Sequence, residues 1–217
     1  MGLLACTAAI FIGGVTATAG EPKEKVSGEV KSQPVPGSKV VNGNFQKRGK
    51  AITDCNIPEG SVFSPSFAVH ANKGPRKPQF FSVVGKNAGY ADDSAGVIVG
   101  GNGCMIFSVR SIQPGQKYRV SARAKVAGSG TPVLKIYWSS KQAKGPFDYK
   151  MGIPTFAFSE EGENNWRLAE GEITVPEGAT KFALIPTAQG IKGETDRIFF
   201  DDIEAVLVSD VEGEKSN

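Results

Sequence analysis

The chain has 217 residues, with 25 Lys and Arg against 22 Asp and Glu and a formal net charge of +3. That mixed balance, with no basic stripe carrying interleaved aromatics, argues against nucleic acid as a partner. The 27 glycines and 13 prolines suit a turn-rich chain. Its length, once the polar ends are set aside, suits one domain with a single core.

The first 19 residues carry no charged side chain and end in Ala17-Thr18-Ala19, a small-residue cleavage pattern. They read as a secretory signal peptide. Leu3-Leu4-Ala5-Cys6 supports an alternative, a lipoprotein anchored through Cys6. Either way the expected location is outside the cytoplasm: secreted, periplasmic or at the cell surface. No later segment has the length and apolarity of a transmembrane helix. Residues 20–38 are polar, charged and proline-containing and read as a flexible linker. Residues 39–208 form the expected domain, and residues 209–217 a polar tail.

Within the domain, residues 40–46 are the first expected strand. A long loop-rich stretch follows over residues 47–78, in which Phe63, Phe67 and Val69 supply anchors or local strands. Residues 82–84 and 96–99 read as short strands around the loop at 85–95, and residues 104–109 as another. From Pro114 onward the pattern is clearest. In 116–126, Tyr118, Val120, Ala122, Ala124 and Val126 alternate with Arg119, Ser121, Arg123 and Lys125, as in a strand with one face in a core. Pro114-Gly115 punctuates its start and Gly128-Ser129-Gly130 its end. The alternation returns in 133–139, 166–175, 180–188 and 197–208. Short strands bounded by Gly and Pro turns predict an all-β fold, a β-sandwich or jelly roll. A second long insertion, 140–165, carries Phe147, Tyr149, Met151, Phe156 and Phe158. Those rings either bury themselves against the sandwich or face a ligand.

Export would leave Cys55 and Cys104, which read as a disulfide between an early loop and a later strand, with two separate buried thiols as the alternative. A zinc site is unsupported, because the spacing is not C-x-x-C and His70 is the single histidine.

The order of several signatures carries a resemblance. Val41-Asn42-Gly43-Asn44-Phe45 opens the domain. Pro114-Gly115 with Tyr118-Arg119-Val120-Ser121-Ala122 follows, then Trp166, Gly171 and Ile173-Thr174-Val175-Pro176-Glu177-Gly178-Ala179, and finally Ile198-Phe199-Phe200-Asp201-Asp202-Ile203. Over residues 40–208 this set resembles the galactose-binding-like β-jelly-roll carbohydrate-binding modules that accompany bacterial polysaccharide-degrading enzymes. The resemblance implies a non-catalytic sugar-binding role and a structural Trp166. It also implies a structural calcium ion, with Asp201 and Asn44 as metal ligands. The chain departs from the family pattern at Phe45-Gln46, where the family often has Phe-Glu, and this removes one hard oxygen donor of the kind calcium needs.

Sugar recognition calls for flat aromatic faces and a few placed polar groups. Two places offer them. One is the polar face of 116–126, with Arg119, Arg123 and Lys125 expected beside Tyr137; Leu134 and Ile136 share a face with Trp138, so Tyr137 points outward. The other is the pair of long loops, with Tyr90, Asp92 and Asp93 on one and Phe147, Asp148 and Tyr149 on the other. The expected partner is carbohydrate, with a cell-surface protein as the alternative, and the expected state is a monomer. Catalysis is not expected. No hydrolase or phosphate-loop motif is present, and Asp92-Asp93 and Glu160-Glu161 are adjacent pairs whose side chains point apart in extended backbone.

Overall fold

The computed structural model describes residues 38–40, 43, 45, 52–53, 67–72, 76–84, 88–91, 94–160 and 162–209. The expected signal peptide with Cys6, the linker before Ser38, the polar tail beyond Ser209, and Asn44, Cys55, Asp92, Asp93 and Glu161 lie outside these residues.

In chain order the strands are β1 Ile52–Thr53, β2 Phe67–Ala71, β3 Gln79–Val84, β4 Ser94–Val99, β5 Gly103–Val109, β6 Lys117–Ala127, β7 Thr131–Ser140, β8 Thr155–Ala157, β9 Trp166–Thr174, β10 Ala179–Gln189 and β11 Arg197–Ser209. They build two sheets. One runs β1-β2-β5-β10-β7-β8 and the other β3-β4-β11-β6-β9. Pairing is antiparallel except between β1 and β2. The all-β sandwich expected from the alternation is the observed architecture. No helix among the described residues is long and apolar enough to cross a membrane.

The core lies between the sheets and is filled by the inward half of each alternation. β6 supplies Tyr118, Val120, Ala122 and Ala124, β7 supplies Leu134, Ile136 and Trp138, and β11 supplies Ile198, Phe200, Ile203 and Ala205. Phe182 of β10 joins the layers. Its ring lies edge-on to Tyr118 at 5.2 Å and to Trp138 at 5.6 Å. The buried Tyr118 hydroxyl donates to Gln116 Oε1 at 3.0 Å, so its polar end is satisfied inside the core.

Of the expected first strand, the described residues Val40, Gly43 and Phe45 are buried but form turn and bend, not ladder. Phe45 has φ +55 and drives its ring edge-on against Phe107 at 5.7 Å. That ring explains Gly96: a Cβ there would come within 2.3 Å of it.

One expectation fails. Arg119, Arg123 and Lys125 of β6 do not lie beside Tyr137 of β7, because residues 128–130 do not bring the chain back alongside β6. Instead they carry the chain across the sandwich, from one sheet to the other. The crossing needs Gly128 at φ +95, where a Cβ would meet the Asp196 carboxylate at 2.2 Å. β6 pairs with β11 and β9, and β7 with β10 and β8. Arg119 and Arg123 therefore sit on the opposite outer face from Tyr137.

Candidate functional site

The outer face of the six-stranded sheet holds the most developed site. Along β7, Trp138 points into the core while Tyr137 and Lys135 point out. On the neighbouring β10, Ala183, Ile185 and Thr187 are the outward residues, and Cys104 and Ile106 continue the surface on β5. β2 brings His70 opposite Cys104. The long insertion then folds back over this face. Asp148 donates its N–H to the Trp138 carbonyl at 2.8 Å, and the Ser139 hydroxyl donates to the Pro146 carbonyl at 2.5 Å. A 3₁₀ turn at Tyr149–Met151 follows, started by Asp148, whose Oδ1 accepts from the Lys150 N–H at 3.2 Å. Asp148 Oδ2 accepts from the Ser140 hydroxyl at 2.6 Å.

These bonds bring three rings together. Phe147 lies 5.1 Å from Tyr137 and packs on Cys104, Ala183 and Ile185. Tyr149 stands edge-on to Tyr137 at 5.7 Å and is 64 % exposed. Met151, Phe156 and Phe158 pack instead against the main core. The insertion thus does both things its composition allowed: most of its rings anchor it, and Tyr149 faces solvent.

Around the rings is a hollow of about 280 Å³, with His70, Asn72, Lys135 and Thr187 as polar groups in its wall. A second hollow of about 510 Å³ adjoins it across Phe147 and Tyr149, with Lys144 and Lys150 at its rim. Burial first, then Tyr149 and Cys104, raises the Tyr137 pKa above its ordinary 10.0. The phenol stays protonated through neutral pH, able both to donate and to accept a hydrogen bond. Because Asp148 holds the loop and lies beside the rings, Asp148→Ala is expected to weaken ligand binding about fivefold, equivalent to ~1 kcal/mol, by loosening Tyr149. Titration calorimetry beside a thermal melt checks this: affinity falls while the melting temperature stays within a few degrees of wild type.

The opposite face uses its aromatics and cations differently. The Arg123 guanidinium lies 3.6 Å from the centre of the Tyr90 ring and 3.9 Å from Asp202 Oδ2. Tyr90 meets the buried Trp166 edge-on at 6.3 Å, and its N–H donates to Asp201 Oδ2 at 2.7 Å. These contacts clamp the 88–91 segment to β6 and β11. Tyr90 and Arg123 are thereby brought together, but away from Tyr137, Phe147 and Tyr149. Arg119 stands on the same face, level with Glu172 and Val206. Trp166 is in the core, as the resemblance implied.

Glu204 on this face is half-buried. Burial first and the Asp202 carboxylate second raise its pKa above the ordinary 4.5, against the pull of Arg119 and Arg123. A raised carboxyl pKa means that the folded state holds the proton more tightly. Its contribution to stability is therefore complete below the unfolded value and is lost as pH rises through the folded one. Glu204→Gln is expected to gain slightly on wild type in urea unfolding at neutral pH, and to lose that gain below pH 4.5. Solvent screening keeps the effect small.

Asp201, the expected calcium ligand, is a fully buried carboxylate on β11. Two residues on, the Ile203 N–H donates to the Gly43 carbonyl at 3.1 Å. Among the described residues no three His, Cys, Asp or Glu side chains gather around one point. The Asp201 carboxylate, whose Oδ2 accepts the Tyr90 N–H, is a hard oxygen donor of the kind that suits calcium better than a transition metal. Cys104, expected to pair with Cys55, is buried on β5 in the floor of the first hollow.

His70, Asn72, Lys135 and Thr187 were missed by sequence reasoning. Lys135 had a signal, because it lies two residues from Tyr137 on one strand. The others reach the site only through strand pairing, which leaves no local mark.

No protein-family model matches the chain, and no curated protein does. Solved structures match its fold. The enzymatically active domain of tailspike protein 4 from bacteriophage CBA120 matches with a TM-score of 0.56 and 15 % identity, over 79 % of this chain and 22 % of that one. The chain thus spans about a fifth of that protein's length. TmCBM61, solved in complex with beta-1,4-galactotriose, gives a TM-score of 0.48 and 16 % identity, covering 78 % of this chain and 98 % of its own. A family 16 carbohydrate-binding module gives 0.44 and 15 %, covering 58 % and 84 %. The matches are mostly carbohydrate-binding modules with a β-sandwich fold, and at these identities the likeness is one of fold. It is the β-sandwich that the sequence signatures pointed to.

Proposed function

We propose that this protein is an exported, non-catalytic carbohydrate-binding module, and that it holds a sugar chain against the outer face of the six-stranded sheet. The observation that carries the reading is the meeting of Tyr137, Phe147 and Tyr149 beside a hollow walled by His70, Asn72, Lys135 and Thr187. A pyranose presents C–H groups on its faces and hydroxyls at its edge. Exposed rings match the first, and a phenol, amide, hydroxyl and ammonium match the second.

A structural calcium ion at Asp201 with Asn44, a Cys55–Cys104 disulfide and a monomeric state belong to the same proposal. Calcium would neutralise the buried Asp201 carboxylate and tie β11 to the opening segment. The second reading is a cell-surface protein with a protein partner. Ile153, 38 % exposed on the same insertion as Tyr149, favours it.

The test is a glycan array probed with the mature chain, once with calcium and once with chelator. Binding of a defined set of oligosaccharides supports the module. A silent array from a folded protein rejects it and leaves the protein-partner reading. A melting temperature unmoved by chelator rejects the calcium site alone.

A further inference from the structure

Resting on the proposed carbohydrate site, we infer that its ligand is an anionic glycan, with a carboxylate or sulfate that ion-pairs with Lys135. The argument is the contrast between the cations on the two outer faces. On the five-stranded sheet the two arginines at the centre of β6 have acidic company: Arg119 is level with Glu172, and Arg123 lies against Asp202 with Glu204 nearby. Lys135 has none. Its cross-strand neighbours are Ile185 on β10 and Thr155 on β8, and Val133 and Tyr137 flank it along its own strand. Among the described residues no carboxylate shares its hollow, where it stands with His70, Asn72 and Tyr137. The adjoining hollow repeats the pattern. Lys144 and Lys150 lie at its rim, and its one carboxylate, Asp148, already accepts from Ser140 and from the Lys150 N–H.

Lys135 is half-buried as a residue, its stem lying along the sheet while its ammonium lines the hollow. A ligand anion placed there gains a charge-assisted hydrogen bond to a cation that no carboxylate of the hollow already engages. The rings give the same ligand its sugar face. A stacking surface with positive charge on two sides fits a polymer whose residues carry regularly spaced anions better than a neutral chain, which offers the cations no counter-charge.

The experiment measures retention on affinity gels containing polygalacturonate, dextran sulfate, neutral dextran or polyglutamate, for wild type, Lys135→Gln and Tyr137→Ala. Each variant is first checked for a wild-type circular dichroism spectrum. The expected result is preference for one or both anionic polysaccharides, with the uronate and sulfate gels showing which anion is read. Lys135→Gln should weaken that binding about tenfold and flatten its salt dependence. Neutral dextran or neutral array glycans bound as tightly as the anionic ones, with Lys135→Gln unchanged and Tyr137→Ala impaired, overturns the anionic assignment but leaves the carbohydrate site standing. Polyglutamate retained as well as the polysaccharides, without dependence on Tyr137, reveals simple ion exchange and overturns the assignment too. No retention on any gel, with a silent array, overturns both.

Discussion

Phe182→Ala is expected to cost about 3–5 kcal/mol of folding stability, the largest loss of any single truncation considered. Phe182 is fully buried at the centre of β10. Its ring touches Tyr118 from the five-stranded sheet and Trp138 from its own, so truncation opens a cavity between the layers. Those neighbours are large and held by flanking strands, and cannot collapse into the space. The edge-on ring contacts add about 0.5–1.5 kcal/mol each beyond the buried area. Urea unfolding gives the stability directly, and a melt should fall on the order of 10 °C. Phe182→Leu keeps most of the volume and should recover more than half of the loss. A fall of only a degree or two for the alanine variant would show that the layers are not joined through this ring.

Tyr137→Ala is expected to reduce glycan binding about thirtyfold or more, a ~2 kcal/mol effect typical of a central aromatic anchor. Phe147 and Tyr149 both lean on this ring, so its removal takes away one platform and the support of two others. Tyr149→Ala, which removes an exposed ring that supports nothing else named here, should cost less. Tyr137→Phe separates the parts of the side chain: the stacking face remains and only the hydroxyl is gone, so affinity should fall less than with alanine. Calorimetry on the oligosaccharide chosen by the array measures all three. Equal affinities for wild type and Tyr137→Ala would place the sugar elsewhere.

The inside and outside of β6, β7, β9, β10 and β11 could be read from the chain, but their neighbours could not; β1 and β2 fell in a stretch read as loop-rich and β8 in the long insertion. Leu134, Ile136 and Trp138 alternate with Lys135 and Tyr137, and this alone points Tyr137 outward. Nothing in a period of two says which strand lies alongside, and 128–130 serves a crossing between sheets as well as it would a hairpin. Arg123 and Tyr137 therefore looked adjacent when a whole core separates them. Tyr90 and Arg123 were legible as surface aromatic and surface cation, but not as partners, because their contact joins a loop to a distant strand. In the long insertion the aromatic content was plain, and the choice between anchoring and presentation was not. It is decided ring by ring, through bonds such as Ser140 to Asp148 that fix where Tyr149 emerges.

β7 also divides the protein's optical properties. Trp138 and Trp166, the chain's two tryptophans, are 2 % and 3 % exposed, while Tyr137 and Tyr149 line the hollows. Indole emission therefore reports the dry interior and is shielded from added quenchers as long as the layers stay together. A sugar titration followed in that band stays flat even at saturation, and a moving signal there registers a sandwich coming apart. The phenols of Tyr137 and Tyr149, absorbing at shorter wavelength, are the chromophores that a ligand in the proposed site would reach. One protein sample thus carries separate intrinsic signals for folding and for occupancy, and on β7 the two are adjacent residues, Tyr137 and Trp138, on opposite sides of one strand.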